Sequence, residues 1–186
     1  MDIEDLIIRV RDHYVEQLRL FVAQQKEACG GLGSAEVKLQ IPEPSSLYRG
    51  LFCIDFAAKV GEETIFREMQ ADSFLAFAPV AATIGSAEVV LANLHWNDVI
   101  IYHDLGADIV GLDAWFEAWL DPQDARYDEA AEFALCIHSL GIEPGVLTVD
   151  FGTAPPDAFW HLMKALTDAG ARRFEVDCTP EAEVSV

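Results

Sequence analysis

Apolar and polar positions change rhythm several times along the chain, and each change marks an element. From Asp2 to Gly31, Ile3, Leu6, Ile7, Val10, Tyr14, Leu18, Phe21 and Val22 recur at steps of three and four, which predicts one amphipathic helix. Asp2 stands at its cap position, Asp5 lies in its first turn, and Gly30-Gly31 stops it. An apolar stripe of this length has to cover something, most simply a sheet. "AEVKLQI" then alternates as a strand until Pro42 and Pro44, and "YRGLFCIDFAAKVGEETIFREMQ" reads as two strands around a tight turn at Gly61. "SFLAFAPVAATIG" carries Pro79 inside an apolar run, which excludes a continuous helix and leaves an irregular connection or a buried strand.

The second half repeats a motif. "EVVLANLHWNDVIIYHD" has a hairpin pattern and "VGLDAWFEAWLDP" follows as a helix; "EFALCIHSLGIEPGVLTVDFG" is again a hairpin, turned at "GIEPG", and "APPDAFWHLMKALTDAG" again a helix. Leu112, Trp115, Phe116, Trp119 and Leu120 make the apolar stripe of the first helix; Ala158, Phe159, Leu162, Met163, Leu166 and Ala169 make that of the second. "RRFEVDC" closes as a strand, and 179–186 reads as a frayed tail after a single domain over 1–178. The expectation is an α/β or α+β domain of two layers. A mostly antiparallel sheet of six to eight strands carries about three helices, mainly on one face, with tandem hairpin-helix units in the second half.

Composition narrows the class. With 186 residues and 52% hydrophobic content, the chain suits one domain with a sizeable core and does not resemble a disordered segment. The start, "MDIEDLIIRV", is acidic where a secretory signal is basic, and no run approaches the ~18 apolar residues of a membrane span; a cytoplasmic location without membrane contact is expected. Cys29, Cys53, Cys136 and Cys178 are far apart, so neither a zinc motif nor a redox pair is indicated by spacing, and no metal or other cofactor is expected. The net charge is −20, and residues 68–163 concentrate it, with sixteen acids against the single base Arg126. Such a field repels nucleic acid and favours basic partners.

Candidate chemistry is sparse. "NLHWNDVIIYHD" holds His95 and His103, but a two-residue turn at Asn97-Asp98 sends them to opposite faces, and Asp104 beside His103 points the other way along a strand. Cys136 and His138, two apart, share a strand face and could bind a metal or activate a thiolate. Asp150 ends a strand ahead of Gly152 and Thr153, a junction type that holds ligands elsewhere. No phosphate-loop, dinucleotide, nucleophile-elbow or H-E-x-x-H pattern is present, and Thr153 reads as a helix cap. Asp121, Asp124, Asp128 and Glu129 form an acidic stretch after the second helix, suited to a basic protein surface. Three functions follow, the third of them a subunit whose apolar surface completes an oligomer. The first is a non-enzymatic acidic domain, inhibitor or immunity-like, that binds a basic protein. The second is a small hydrolase or metal-dependent enzyme using Cys136, His138 and Asp150, and a cleft joining those three residues would favour it.

Overall fold

A computed structural model describes residues 2–43, 45–106 and 109–179. The expected helix is α1, Ile3–Ala28, and its stripe of Leu6, Ile7, Val10, Tyr14, Val15, Leu18 and Val22 is buried. Asp2 occupies the N-cap position without a side-chain hydrogen bond. Next come β1 (Ser34–Gln40), a 3-10 turn at Tyr48–Gly50, β2 (Leu51–Val60) and β3 (Glu63–Arg67). These strands form an antiparallel sheet with β2 in the middle. β3 pairs only with Phe56 to Val60, so the first half of β2 leaves one edge open to another part of the chain.

The larger sheet contains β4 (Val80–Ile84), β5 (Ala87–Leu91), β6 (Val99–His103), β7 (Ser139–Glu143), β8 (Val146–Asp150) and β9 (Arg173–Asp177). Their spatial order is β4-β5-β9-β6-β8-β7. The two helices of the second half are α2 (Leu112–Leu120) and α3 (Pro156–Asp168). Alternation along β5, β8 and β9 buries one side of each strand, as one covered face requires. α2 packs on α3, while α1 touches β2 and α3. The result is the two-layer α+β arrangement expected, with three α-helices among the described residues.

Two local expectations change. The ambiguous apolar run after Ser73 contributes the edge strand β4, paired with β5 through a turn at Gly85. β5 and β6 do not pair with one another. β9 inserts between them, parallel to β5 and antiparallel to β6. The segment 92–98 is therefore a connection crossing one strand. The hairpin expected over "EVVLANLHWNDVIIYHD", and with it the first of the two hairpin-helix units, does not form. The second hairpin does form: β7 and β8 pair from Ser139–Asp150 to Glu143–Val146, followed directly by α3. The expected tail lies outside the described residues from 180 onward.

Candidate active site

β7 begins at the open edge of β2. The Cys53 amide donates to the His138 carbonyl (2.7 Å), and the His138 amide donates to the Asp150 carbonyl (2.8 Å). These backbone bonds stitch the small sheet to the large one. They also fix which side chains meet at the seam. Cys53 and Asp55 lie on one face of β2, because successive strand residues alternate. Cys136 and His138 approach from the segment just ahead of β7, not from a shared strand face as expected, Asp150 from the end of β8, and Glu36 from β1.

His138 is the hub. Its imidazole is 2% exposed, with Nε2 2.9 Å from Glu36 Oε1. Nδ1 sits 3.1 Å from Asp55 Oδ1 and 3.8 Å from Asp150 Oδ2. Nδ1 meets both acids as ion-pair partners, without an aligned hydrogen bond to either. The surrounding acids are anchored. Glu36 Oε2 accepts from the Ala134 amide (2.5 Å) and its Oε1 from the Thr153 hydroxyl (2.5 Å). Asp55 accepts from the Met69 amide (2.6 Å), and Asp150 from the Gly152 amide (2.8 Å). Buried carboxylates persist only when their lone pairs are met in this way.

Charge couples the group. Burial pushes His138 down, but the carboxylates of Asp150, Asp55 and Glu36 outweigh it and hold the imidazole well above its usual value. Burial raises Asp150 to about 7, against the pull of His138 and with a further push from Asp55. Packed deep as it is, the Asp150 side chain keeps 27% of its surface, because one side opens on a cavity. Tyr14 is raised well above its ordinary value by burial and then by Asp150 and Asp55. The Cys53 thiol is raised well above its ordinary value, first by its contact with Cys136 and then by burial.

The cavity has a volume of about 190 Å³ and is lined by Tyr14, Cys53, Asp55, Glu68, Met69, Gln70, Asn97 and Asp150. The Asn97 side-chain oxygen is buried and accepts no hydrogen bond. Asp55 and Asp150 are the carboxylates that join this cavity to His138.

Backbone strain gathers at the same place. Glu36 (φ 51°), Leu135 (φ 54°) and Gly152 (φ 49°) all adopt left-handed conformations, which cost non-glycine residues roughly 1–3 kcal/mol each. The pairs Ala35–Phe56 and Val37–Ile54 flank Glu36 across from Asp55, and the kink at Glu36 accompanies its burial. A Cβ at Gly152 would overlap Cδ2 and Nε2 of His138, so only glycine lets that turn close over the ring.

The structure brings Cys136, His138 and Asp150 into one constellation. It seals Cys136 inside, while Asp150 alone of the three lines the cavity. Thr153 is not a helix cap. α3 starts at Pro156 with Pro155 at its N-cap, and the Thr153 hydroxyl serves Glu36 instead. Sequence reading missed Glu36 and Asp55. Asp55 had a signal, a single acid inside the apolar run "FCIDFAA"; Glu36 had none, since it alternates with Lys38 and Gln40 as a solvated face would. His95 stacks on Phe74 with ring centroids 3.5 Å apart, and His103 Nδ1 accepts from the Leu105 amide (3.2 Å); the two are in separate surroundings.

The acidic stretch after α2 is partly structural. Asp121 is buried and accepts from the amides of Ala125 and Arg126 (3.0 and 2.9 Å). Asp124 pairs with Lys38 (2.5 Å), and Asp128 accepts from the Ala130 amide (2.9 Å). Glu129 is exposed. Compared with family models, with curated proteins and with solved structures, the chain matches none. Among the described residues, no helix is long and apolar enough to cross a membrane.

Proposed function

We propose that the chain is a small hydrolase whose reaction takes place in the cavity floored by Asp55 and Asp150. One observation carries this reading: side chains from five separate stretches of sequence converge on a polar cavity whose two floor carboxylates share one buried imidazole. Such convergence is costly to build and characterises catalytic sites more than surfaces that only bind. Cys136 does not reach the cavity, and Cys53 holds its proton, so a thiolate nucleophile does not fit. Water is the nucleophile that remains. Asp150 accepts its proton as the water oxygen attacks, and returns it to the leaving group as the scissile bond breaks. His138, clamped by Glu36, is a positioning residue for both acids, and Tyr14 and Asn97 supply hydrogen-bonding groups to the substrate. The acidic surroundings favour neutral or cationic substrates.

The test is a panel of ester, amide and glycoside substrates turned over by wild type and by Asp150→Asn. Hydrolysis of one class, falling roughly 100-fold or more in the variant, is expected for loss of a general base. Absence of any turnover exceeding that of Asp150→Asn overturns the reading.

A second reading keeps the acidic domain as a binder of a basic protein. It is favoured by Tyr127, 75% exposed within the acidic segment that contains Asp121, Asp124, Asp128 and Glu129, since exposed aromatics among charges suit an interface. Retention of a basic protein at low salt, released at high salt and unaffected by Asp150→Asn, would support the binder and separate it from the enzyme.

A further inference from the structure

Cys53, Cys136 and His138 are 83 and 2 residues apart in sequence, yet each presents a ligand atom within 4.8 Å of the other two. All three are buried. From this geometry we infer a metal site for a borderline-soft dication, zinc above all, held by the two sulfurs and the imidazole.

The donor set argues for it. Two thiolates and one imidazole are the combination that selects zinc over calcium or magnesium, which take oxygen. In a tetrahedral zinc site with bonds of about 2.3 Å to sulfur and 2.0 Å to nitrogen, donors stand roughly 3.5–3.8 Å apart. A contraction of about an ångström or less therefore closes the set. The backbone already holds the strands together at this point, through Cys53 and His138 themselves.

Three independent features point the same way. His138 Nδ1 is buried, lies 3.1 Å from Asp55 Oδ1 and makes no aligned hydrogen bond, while Nε2 faces Glu36, the carboxylate–imidazole arrangement that orients metal-binding histidines. Glu36 Oε1 is also 4.0 Å from Cys136 Sγ, at the border of the set. Cys53 lines the cavity described above, which gives an ion a way in and leaves room for a water or a substrate as a further ligand. When zinc binds, the two thiols release their protons and ligate as thiolates, and the imidazole ligates as the neutral ring. The ring of carboxylates favours the arriving dication.

The site shares His138 and the cavity with the hydrolase reading, but the two readings fail separately. A chain without turnover can hold zinc structurally, and a hydrolase without zinc can act through Asp150 alone. Sequence spacing did not indicate it, because Cys53 comes from β2 and Cys136 from the segment ahead of β7.

The experiment uses the full chain, purified without a metal-binding tag. Elemental analysis after dialysis in micromolar zinc should give about one zinc per chain, and a chelator should lower the melting temperature by many degrees. Replacing zinc with cobalt(II) should produce the sulfur-to-cobalt charge-transfer band and the intense visible bands of a tetrahedral thiolate site. Cys53→Ala and Cys136→Ala should lose those bands, whereas Cys29→Ala keeps them. If the buried variants fail to fold, the wild-type spectrum decides alone. Substoichiometric zinc, a cobalt spectrum without the charge-transfer band, a band that survives Cys136→Ala, or a Cys53–Cys136 disulfide in place of bound metal each overturns the site.

Discussion

Gly152→Ala is the most informative single substitution in this fold. A β-carbon there overlaps His138 Cδ2 and Nε2 and stands 2.7 Å from Cγ. The ring cannot retreat, because Glu36 holds Nε2 from the other side. Alanine must also take up a left-handed conformation, since Gly152 has φ 49°. The conformation costs about 1–2 kcal/mol, and forcing volume into a packed site typically costs about 1–3 kcal/mol more. Together they predict a loss of roughly 2–5 kcal/mol, a large part of the ~5–15 kcal/mol that holds a domain of this size folded. Gly30→Ala separates the two contributions. Gly30 also has a positive φ, 67°, but no atom lies within 4 Å of the place a β-carbon would take, so it should lose only the conformational part. Urea denaturation followed by circular dichroism measures both. If Gly152→Ala comes within about 0.5 kcal/mol of Gly30→Ala, the imidazole is free to move and the clamp at the polar centre does not exist.

Other expectations follow from neighbouring contacts. Trp115 is buried and donates from its indole nitrogen to the Ala158 carbonyl (2.9 Å), so Trp115→Ala should cost about 3–5 kcal/mol. Trp119, placed in the core by its helical spacing, is only half-buried and packs on His161 and Arg126; denaturant melts should show a clearly smaller loss for Trp119→Ala. Asp121→Ala removes the acceptor for two amides, and unsatisfied donors cost about 1–3 kcal/mol, whereas Glu129→Ala should leave the urea midpoint unchanged. Burial holds His103 below its ordinary value, against the pull of Asp104. The unfolded chain therefore takes up a proton there before the folded one, and stability falls as pH drops through the ordinary histidine range. His103→Gln should flatten that part of the pH–stability curve, and an unchanged slope refutes the assignment.

The parts of this fold that were legible in sequence are those written in local periodicity. α1, α2 and α3 were announced by their apolar stripes, and the β7–β8 hairpin by "GIEPG" between two short runs. What periodicity cannot encode is which strand lies beside which. β9 enters between β5 and β6 because its Phe174 and Val176 extend the same buried face, and nothing near Trp96 or Asp98 signals that. The candidate site divides in the same way. Cys136, His138 and Asp150 stood out as reactive side chains within otherwise apolar runs. Glu36 looked like surface, because its burial depends on a left-handed backbone that no side-chain pattern reveals. Cys53 looked inert, because its partner thiol lies in a distant stretch.

The seam between the two sheets also sets an order of assembly during synthesis. Glu36 and Thr153 are separated by 117 residues. At roughly 5–20 residues per second, a ribosome takes on the order of ten seconds to make that stretch. Through that interval β1 and β2 have emerged, but the imidazole, threonine and amides that satisfy Glu36 have not. Glu36 cannot leave water without partners, so the small sheet waits, hydrated on one face, until the last third of the chain arrives. The polar centre thus acts as a checkpoint on completeness: a nascent or truncated chain ending before Ala134 has every strand of the small sheet and none of the groups that satisfy Glu36.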